Sequence, residues 1–306
     1  MEFLYLLESL RTPWLDRIML LLTELGGETA FLAVALVLFW CADKKKGYYL
    51  MAVGFMGTIT SQFLKLCCRI PRPWVRDPEF TIVEAARADA GGYSFPSGHS
   101  QSSVGTFGSI AMTTGKKWLR CLCLAVCVLV PLTRMYLGVH TPADVLVGAG
   151  MSVFFLFALK PVVYRDNGKH IPALFLVMIA LGAGFVAYTE LYPFPADIDP
   201  HNLQSALKNS YTLLGALLGM TVVYFVDEKK LRFPTEGVWY AQILKVFLGL
   251  VLVLAVKEGL RAPLDALFAG HMMGRAVRYC LVVLFAGIVW PLSFPRFARM
   301  GKGAEK

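Results

Sequence analysis

The sequence predicts an all-α, polytopic transmembrane bundle, and three observations carry that expectation. Of its 306 residues, 57% are hydrophobic and 17% charged, whereas soluble domains carry about 25% charge and are under half apolar. Four stretches hold no charge at all: Gly47 to Leu64, Ile171 to Thr189, Asn209 to Val226 and Tyr279 to Pro295. Each approaches the ~20 residues that a helix needs to cross a bilayer. Finally, basic residues recur in alternate connections, as they do in loops facing the cytoplasm.

Taken in order, residues 1–24 read as an amphipathic segment lying in the membrane interface. Phe3, Leu6, Leu7 and Leu10 share one helical face, Pro13 breaks the pattern, and Trp14, Leu15, Ile18, Met19 and Leu22 make a second face. Nine spans are expected after it, near 25–42, 47–67, 97–115, 118–137, 142–160, 171–191, 203–226, 238–256 and 275–294. The third opens with Ser97, His99, Ser100, Gln101, Ser102 and Ser103. A polar face on a crossing helix belongs against the bundle or a cavity, not against lipid. Gly54, Gly57, Gly105, Gly108, Gly148, Gly150, Gly215 and Gly219 fit close helix contacts. With nine spans, Lys44–Lys46, Lys116, Lys117, Arg120, Lys160, Arg165, Lys169, Lys229, Lys230, Arg232 and the tail with Arg296, Arg299, Lys302 and Lys306 fall on one side. That side is then cytoplasmic, the N-terminus outside and the C-terminus inside.

The net charge of +9 reads as juxtamembrane anchoring plus handling of an anion. No stretch interleaves basic and aromatic residues, so nucleic acid is not an expected partner. Seven cysteines, an odd number and mostly inside apolar runs, argue against a disulfide framework or a zinc site.

Three segments carry the chemistry, and the nine-span plan brings them to one membrane surface. They are Lys65 to Pro73, Pro96-Ser97-Gly98-His99, and Arg134 to Asp144 with His140 between. Lys65, Arg72 and Arg134 together suit a multiply charged anion, and the arginine fork fits phosphate oxygens in pairs. Ser97 and Gly98 stand at a helix start, where free N–H groups and the dipole favour phosphate. Asp144 follows His140 by four residues, close enough to fix the imidazole tautomer and leave the other nitrogen to attack. His99 suits the general acid that protonates the leaving oxygen. Phosphoryl transfer to His140 and hydrolysis of the phosphohistidine follow as the expected reaction. Three cations supply the charge, so neither a metal nor another cofactor is expected. Each residue also has a plain structural alternative. Ser97 and the Thr141-Pro142-Asp144 run are N-terminal capping patterns, Lys65 and Arg72 could be interface anchors, and Arg134 could be snorkelling.

In this order the segments resemble the type-2 phosphatidic acid phosphatase superfamily, the vanadium-haloperoxidase-like membrane phosphatases. Its signatures are K-x6-R-P, P-S-G-H and S-R-x5-H-x3-D, and only Thr133, where serine is usual, departs from them. The resemblance implies a helical bundle, a metal-free phosphohistidine mechanism, His140 as nucleophile, Asp144 as its partner and His99 as acid. It also implies that Lys65, Arg72, Ser97, Gly98 and Arg134 hold the phosphate. The phosphatase core is then 25–165, and 166–306 adds further spans and a cytoplasmic tail packed as one domain with it. That longer plan looks like the glucose-6-phosphatase and sphingosine-1-phosphate phosphatase branches. The expected partners are the bilayer and a phosphorylated lipid: a phosphatidate, an isoprenyl phosphate or diphosphate, or a sphingoid-base phosphate. The expected location is a bacterial plasma membrane, with the site extracytoplasmic. A sugar-phosphate phosphatase is the rival, and a transporter or non-catalytic lipid-binding protein a more distant one. The 74–95 loop is a candidate lid, and Glu190 and Lys208 a candidate ion pair.

Overall fold

A computed structural model describes residues 1–301, without the side chains of Asp166 and Asn167. Lys302 and Lys306 of the basic tail lie outside the described residues. All regular structure among the described residues is helical. The helices are α1 (Glu2–Ser9), α2 (Pro13–Thr23), α3 (Glu28–Cys41), α4 (Lys44–Cys68), α5 (Pro73–Arg76), α6 (Gly98–Thr113), α7 (Lys117–Tyr136), α8 (Pro142–Tyr164), α9 (Ile171–Leu191), α10 (Pro200–Val226), α11 (Trp239–Gly259), α12 (Arg261–Leu267), α13 (Met273–Leu284) and α14 (Phe294–Arg299).

Among these residues seven helices are long and apolar enough to cross a membrane, or eight if α2 and α3, bent by 49°, act as one span. The two expected spans outside the seven are α3, of 14 residues, and α6, of 16. At 1.5 Å per residue neither reaches the roughly 30 Å of a hydrocarbon core by itself. For α6 the reason is chemical, since Ser100, Gln101, Ser103, Thr106 and Ser109 are all buried. The serine hydroxyls bond inside the protein, as where Ser109 Oγ donates to Gly105 O, and Gln101 O accepts from Ser152 Oγ of α8, both at 2.6 Å.

Two compact units make up the chain. The first comprises Met1–Ala35, Tyr48–Arg165 and Pro195–Ala206. In it α6 packs against α7 and α8, and small residues set the approach. A Cβ on Gly148 of α8 would stand 2.5 Å from Ser97 O, and one on Gly57 of α4 2.1 Å from Gln101 Nε2. Both N-terminal helices present apolar side chains on two sides. Leu4 of α1 is buried with Phe80, Ile82, Met135 and Val145. Leu15, Met19 and Leu20 of α2 pack on Ala86, Tyr136, Leu137 and Val139. Phe3, Leu6, Leu10, Trp14, Ile18 and Leu21 remain exposed. One side thus covers the 77–90 loop and the turn after α7, and the other is left for lipid. Polar clasps reinforce the cover, with Arg11 donating to Thr81 O and Tyr136 O at 2.9 and 3.0 Å, and Tyr136 Oη to Asp16 at 2.7 Å.

The second unit comprises Leu36–Gly47, Asp166–Phe194 and the chain from Leu207. Lys245 of α11 is buried, and its ammonium donates to Trp40 O at 2.9 Å over the Phe294 ring, a structural role that fits its place in mid-span. Glu190 accepts from Tyr211 Oη at 2.9 Å rather than from Lys208, the partner that proximity along the chain favours.

Candidate active site

Every residue singled out for phosphate chemistry belongs to the first unit. Lys65 is in the last turn of α4 and Arg134 in the last turn of α7, where helix C-termini favour cations. Ser97 is the N-cap of α6 and Thr141 of α8, so the start of each of these helices lends its positive end to an anion. Ser97 N–H donates to Asp144 O at 2.9 Å, which ties the two helix starts together. His99 and His140 therefore lie at the same end of the bundle.

The geometry fixes the imidazole of His140. Its Nε2 lies 2.9 Å from Arg72 Nη1. A guanidinium has no lone pair to offer, so Nε2 must be the acceptor and the ring proton must sit on Nδ1. Nδ1 faces Asp144 Oδ2 at 3.4 Å, longer than a hydrogen bond. That oxygen already accepts from Thr141 N at 2.7 Å and Ser94 Oγ at 2.6 Å. Asp144 thus closes the capping box of α8 and faces His140 with the same atom. Burial, followed by Arg72, Arg134, Lys65 and His99, pushes the His140 imidazole well below its ordinary pKa of 6.5. All four groups are close enough to act on it electrostatically.

The three cations differ in what they have left to give. Arg72 spends its donors on Gly91 O, Gly92 O, Val139 O and His140. Lys65 Nζ donates to Tyr93 O. Arg134 has no exposed surface, and its Nη1 donates to Thr23 Oγ1 at 3.0 Å. Its Nε and Nη2 have no partner, an arrangement that is costly in a protein interior unless an acceptor is supplied. Ser97 is also fully buried, and its Oγ accepts from Ser100 N and Ser100 Oγ. Over Gly98 the space is open, since a Cβ there would meet nothing within 4 Å. His99 is half-buried, and its ring makes no hydrogen bond among the described residues.

Several contacts of the candidate site escaped the sequence reading. Ser94 precedes the recognised motif by two residues, and only the fold carries its hydroxyl to Asp144. Thr23 lies 111 positions from Arg134, beyond any spacing rule. In the 74–95 loop, the carbonyls of Gly91 and Gly92 hold the Arg72 guanidinium. In the same loop, Trp74 lies under both the Arg72 and Arg87 guanidiniums, at 5.9 and 5.2 Å.

The chain matches the family model of the PAP2 superfamily over residues 45–169. A second model, the transmembrane extension of PAP2 superfamily phosphatases, matches residues 211–302. Among curated proteins, it is 27% identical over 166 residues to phosphatidylglycerophosphatase B of Bacillus subtilis (strain 168), covering 49% of this chain and 76% of that protein. It is 30% identical over 135 residues to undecaprenyl-diphosphatase of Sulfolobus acidocaldarius, covering 44% of this chain and 64% of that protein. No solved structure matches the chain.

Proposed function

The chain is a membrane phosphatase of the PAP2 superfamily, and from that premise we propose that it hydrolyses a lipid phosphate through a phosphohistidine on His140. In the proposed reaction Arg134, Arg72 and Lys65 bind the phosphate oxygens, and Arg72 moves from His140 Nε2 onto the anion. Nε2 then forms a bond to phosphorus as the ester P–O bond breaks, and His99 gives its proton to the departing oxygen. Water next attacks phosphorus and breaks the N–P bond, and His99 takes up the proton that the water loses. Asp144 holds the His140 ring and offsets the charge that develops on it. The observation that carries this reading is Arg134, fully buried with Nε and Nη2 unpartnered, near an imidazole whose Nε2 lone pair faces Arg72.

A lipid is favoured over a soluble substrate by an apolar cleft of about 450 Å³ between α4 and α8, lined by Thr60, Val147, Gly150, Met151, Phe154 and Phe155. At 1.5 Å per residue, Thr60 lies about 7 Å below Lys65 and Gly150 about 9 Å below Asp144, so a hydrocarbon tail could descend from the phosphate. The names of the two relatives also support a lipid substrate. The proposed setting is the plasma membrane of a bacterium with the site facing outward, in keeping with the basic loops. The test is a panel of phosphatidate, phosphatidylglycerophosphate, isoprenyl diphosphate, sphingoid-base phosphate and glucose 6-phosphate offered to detergent-purified protein. Turnover of at least one lipid is expected. Turnover of glucose 6-phosphate alone would replace the lipid reading with a sugar-phosphate phosphatase.

A further inference from the structure

Two arginines stand one turn apart on α13, in the second unit. Arg278 is only 8% exposed, yet its guanidinium makes no hydrogen bond or ion pair among the described residues, and its Nε is shut off from solvent without an acceptor. Arg275 Nε donates to a neutral acceptor, Thr212 Oγ1 of α10, at 2.7 Å. Both guanidiniums lie against one ring, that of Tyr279, at 5.6 and 5.4 Å. Two like charges are thus gathered together, and neither has a carboxylate partner among the described residues.

Burying an uncompensated cation costs several kcal/mol, and the packing of α13 blocks the simplest relief. Turning the helix would carry Arg278 outward, but α10 holds it in place: a Cβ on Gly215 would stand 2.0 Å from Ala276 O, and one on Gly219 2.8 Å from Cys280 O. On the Arg278 side, Gly274 also brings α13 near α12, less tightly, with Leu264 O 3.2 Å from a Cβ built there. With Nε closed off and the outer nitrogens at the protein surface, the guanidinium is held in one place with its Nη donors open to an acceptor. The first turns of a helix also favour negative charge. We propose that Arg275 and Arg278 form a second anion site, in the transmembrane extension, that takes a phosphate group, borne either by an anionic lipid headgroup or by inorganic phosphate. Its two planar forks provide the paired donors that phosphate oxygens accept. The site is independent of the reading of His140 and would stand if that reading failed.

Thermal melting of purified wild type and Arg278→Met tests it. Methionine keeps apolar bulk and removes the charge, so the variant needs no counter-ion to fold. Each protein is melted in neutral detergent alone, then with inorganic phosphate, with phosphatidylglycerol and with phosphatidylcholine. Both proteins retain the whole candidate active site, so a response shared by the two belongs there and the difference belongs to Arg278. The wild type should gain about 5 °C more than the variant at saturating ligand. Phosphatidylglycerol produces that excess if the anion is a headgroup, inorganic phosphate if it is free, and phosphatidylcholine produces none. Equal shifts in the two proteins under every addition overturn the proposal. Should Arg278→Met fail to fold, Arg275→Gln replaces it: a loss of about tenfold in affinity for the same addition is expected, and unchanged affinity overturns the site.

Discussion

At the scale of single residues, the account turns on an imidazole kept neutral among cations. Because the folded-state pKa of His140 lies below 6.5, the unfolded chain takes up this proton first as pH falls. The folded state therefore loses stability below pH 6.5, and keeps this contribution above it. NMR of ring-labelled histidine should find His140 neutral at pH 6, and Arg72→Gln should move its titration up toward 6.5; half-protonation near 6.5 in the wild type would contradict the electrostatics. Ser94→Ala removes a 2.6 Å hydrogen bond to the carboxylate that faces this ring. It should lower kcat by about tenfold or more with KM little changed, and an unaltered kcat would remove Ser94 from the positioning of Asp144. In His99→Ala, substrates with good leaving groups should suffer less than alkyl phosphates; equal losses would argue against the acid role. The histidines and cations were legible in the sequence because the chemistry restricts both residue type and spacing. Ser94 and Thr23 were not, because a serine or threonine hydroxyl that meets its partner only through tertiary packing leaves no periodic trace.

Among elements, the decisive contact is between the starts of α6 and α8. Gly148→Ala forces a methyl group to within 2.5 Å of Ser97 O, and should cost about 1–3 kcal/mol of stability while lowering turnover. Gly150→Ala, where a Cβ meets nothing within 4 Å, should be neutral or add up to about 1 kcal/mol through helix propensity. Equal melting temperatures for the two variants would show that helix approach does not position the site. Hydropathy found the long helices readily, since a lipid-facing surface must be apolar whatever its neighbours. It could not fix α6, whose serines bond back within their own helix and are buried among its neighbours, nor the reach of α3. It also read only one purpose into the N-terminal helices: the exposed stripe was visible, whereas the packing of Leu4, Leu15 and Met19 over the site's loops depends on long-range partners.

For the whole molecule, orientation and chemistry can be tested separately. A cysteine introduced at Ala88, in the exposed part of the 74–94 loop, should react in intact cells with a thiol reagent that does not cross membranes. Labelling only after permeabilisation would reverse the orientation and leave the chemistry untouched. Activity should persist in EDTA and fall with vanadate; dependence on a divalent cation would contradict the role given to Lys65, Arg72 and Arg134. The most direct measurement is the trapping of the covalent intermediate. Wild type mixed with substrate carrying a labelled phosphate and quenched in alkali should hold acid-labile label on histidine, and His140→Ala should hold none. Label of the same kind surviving in His140→Ala would place the nucleophile on another residue.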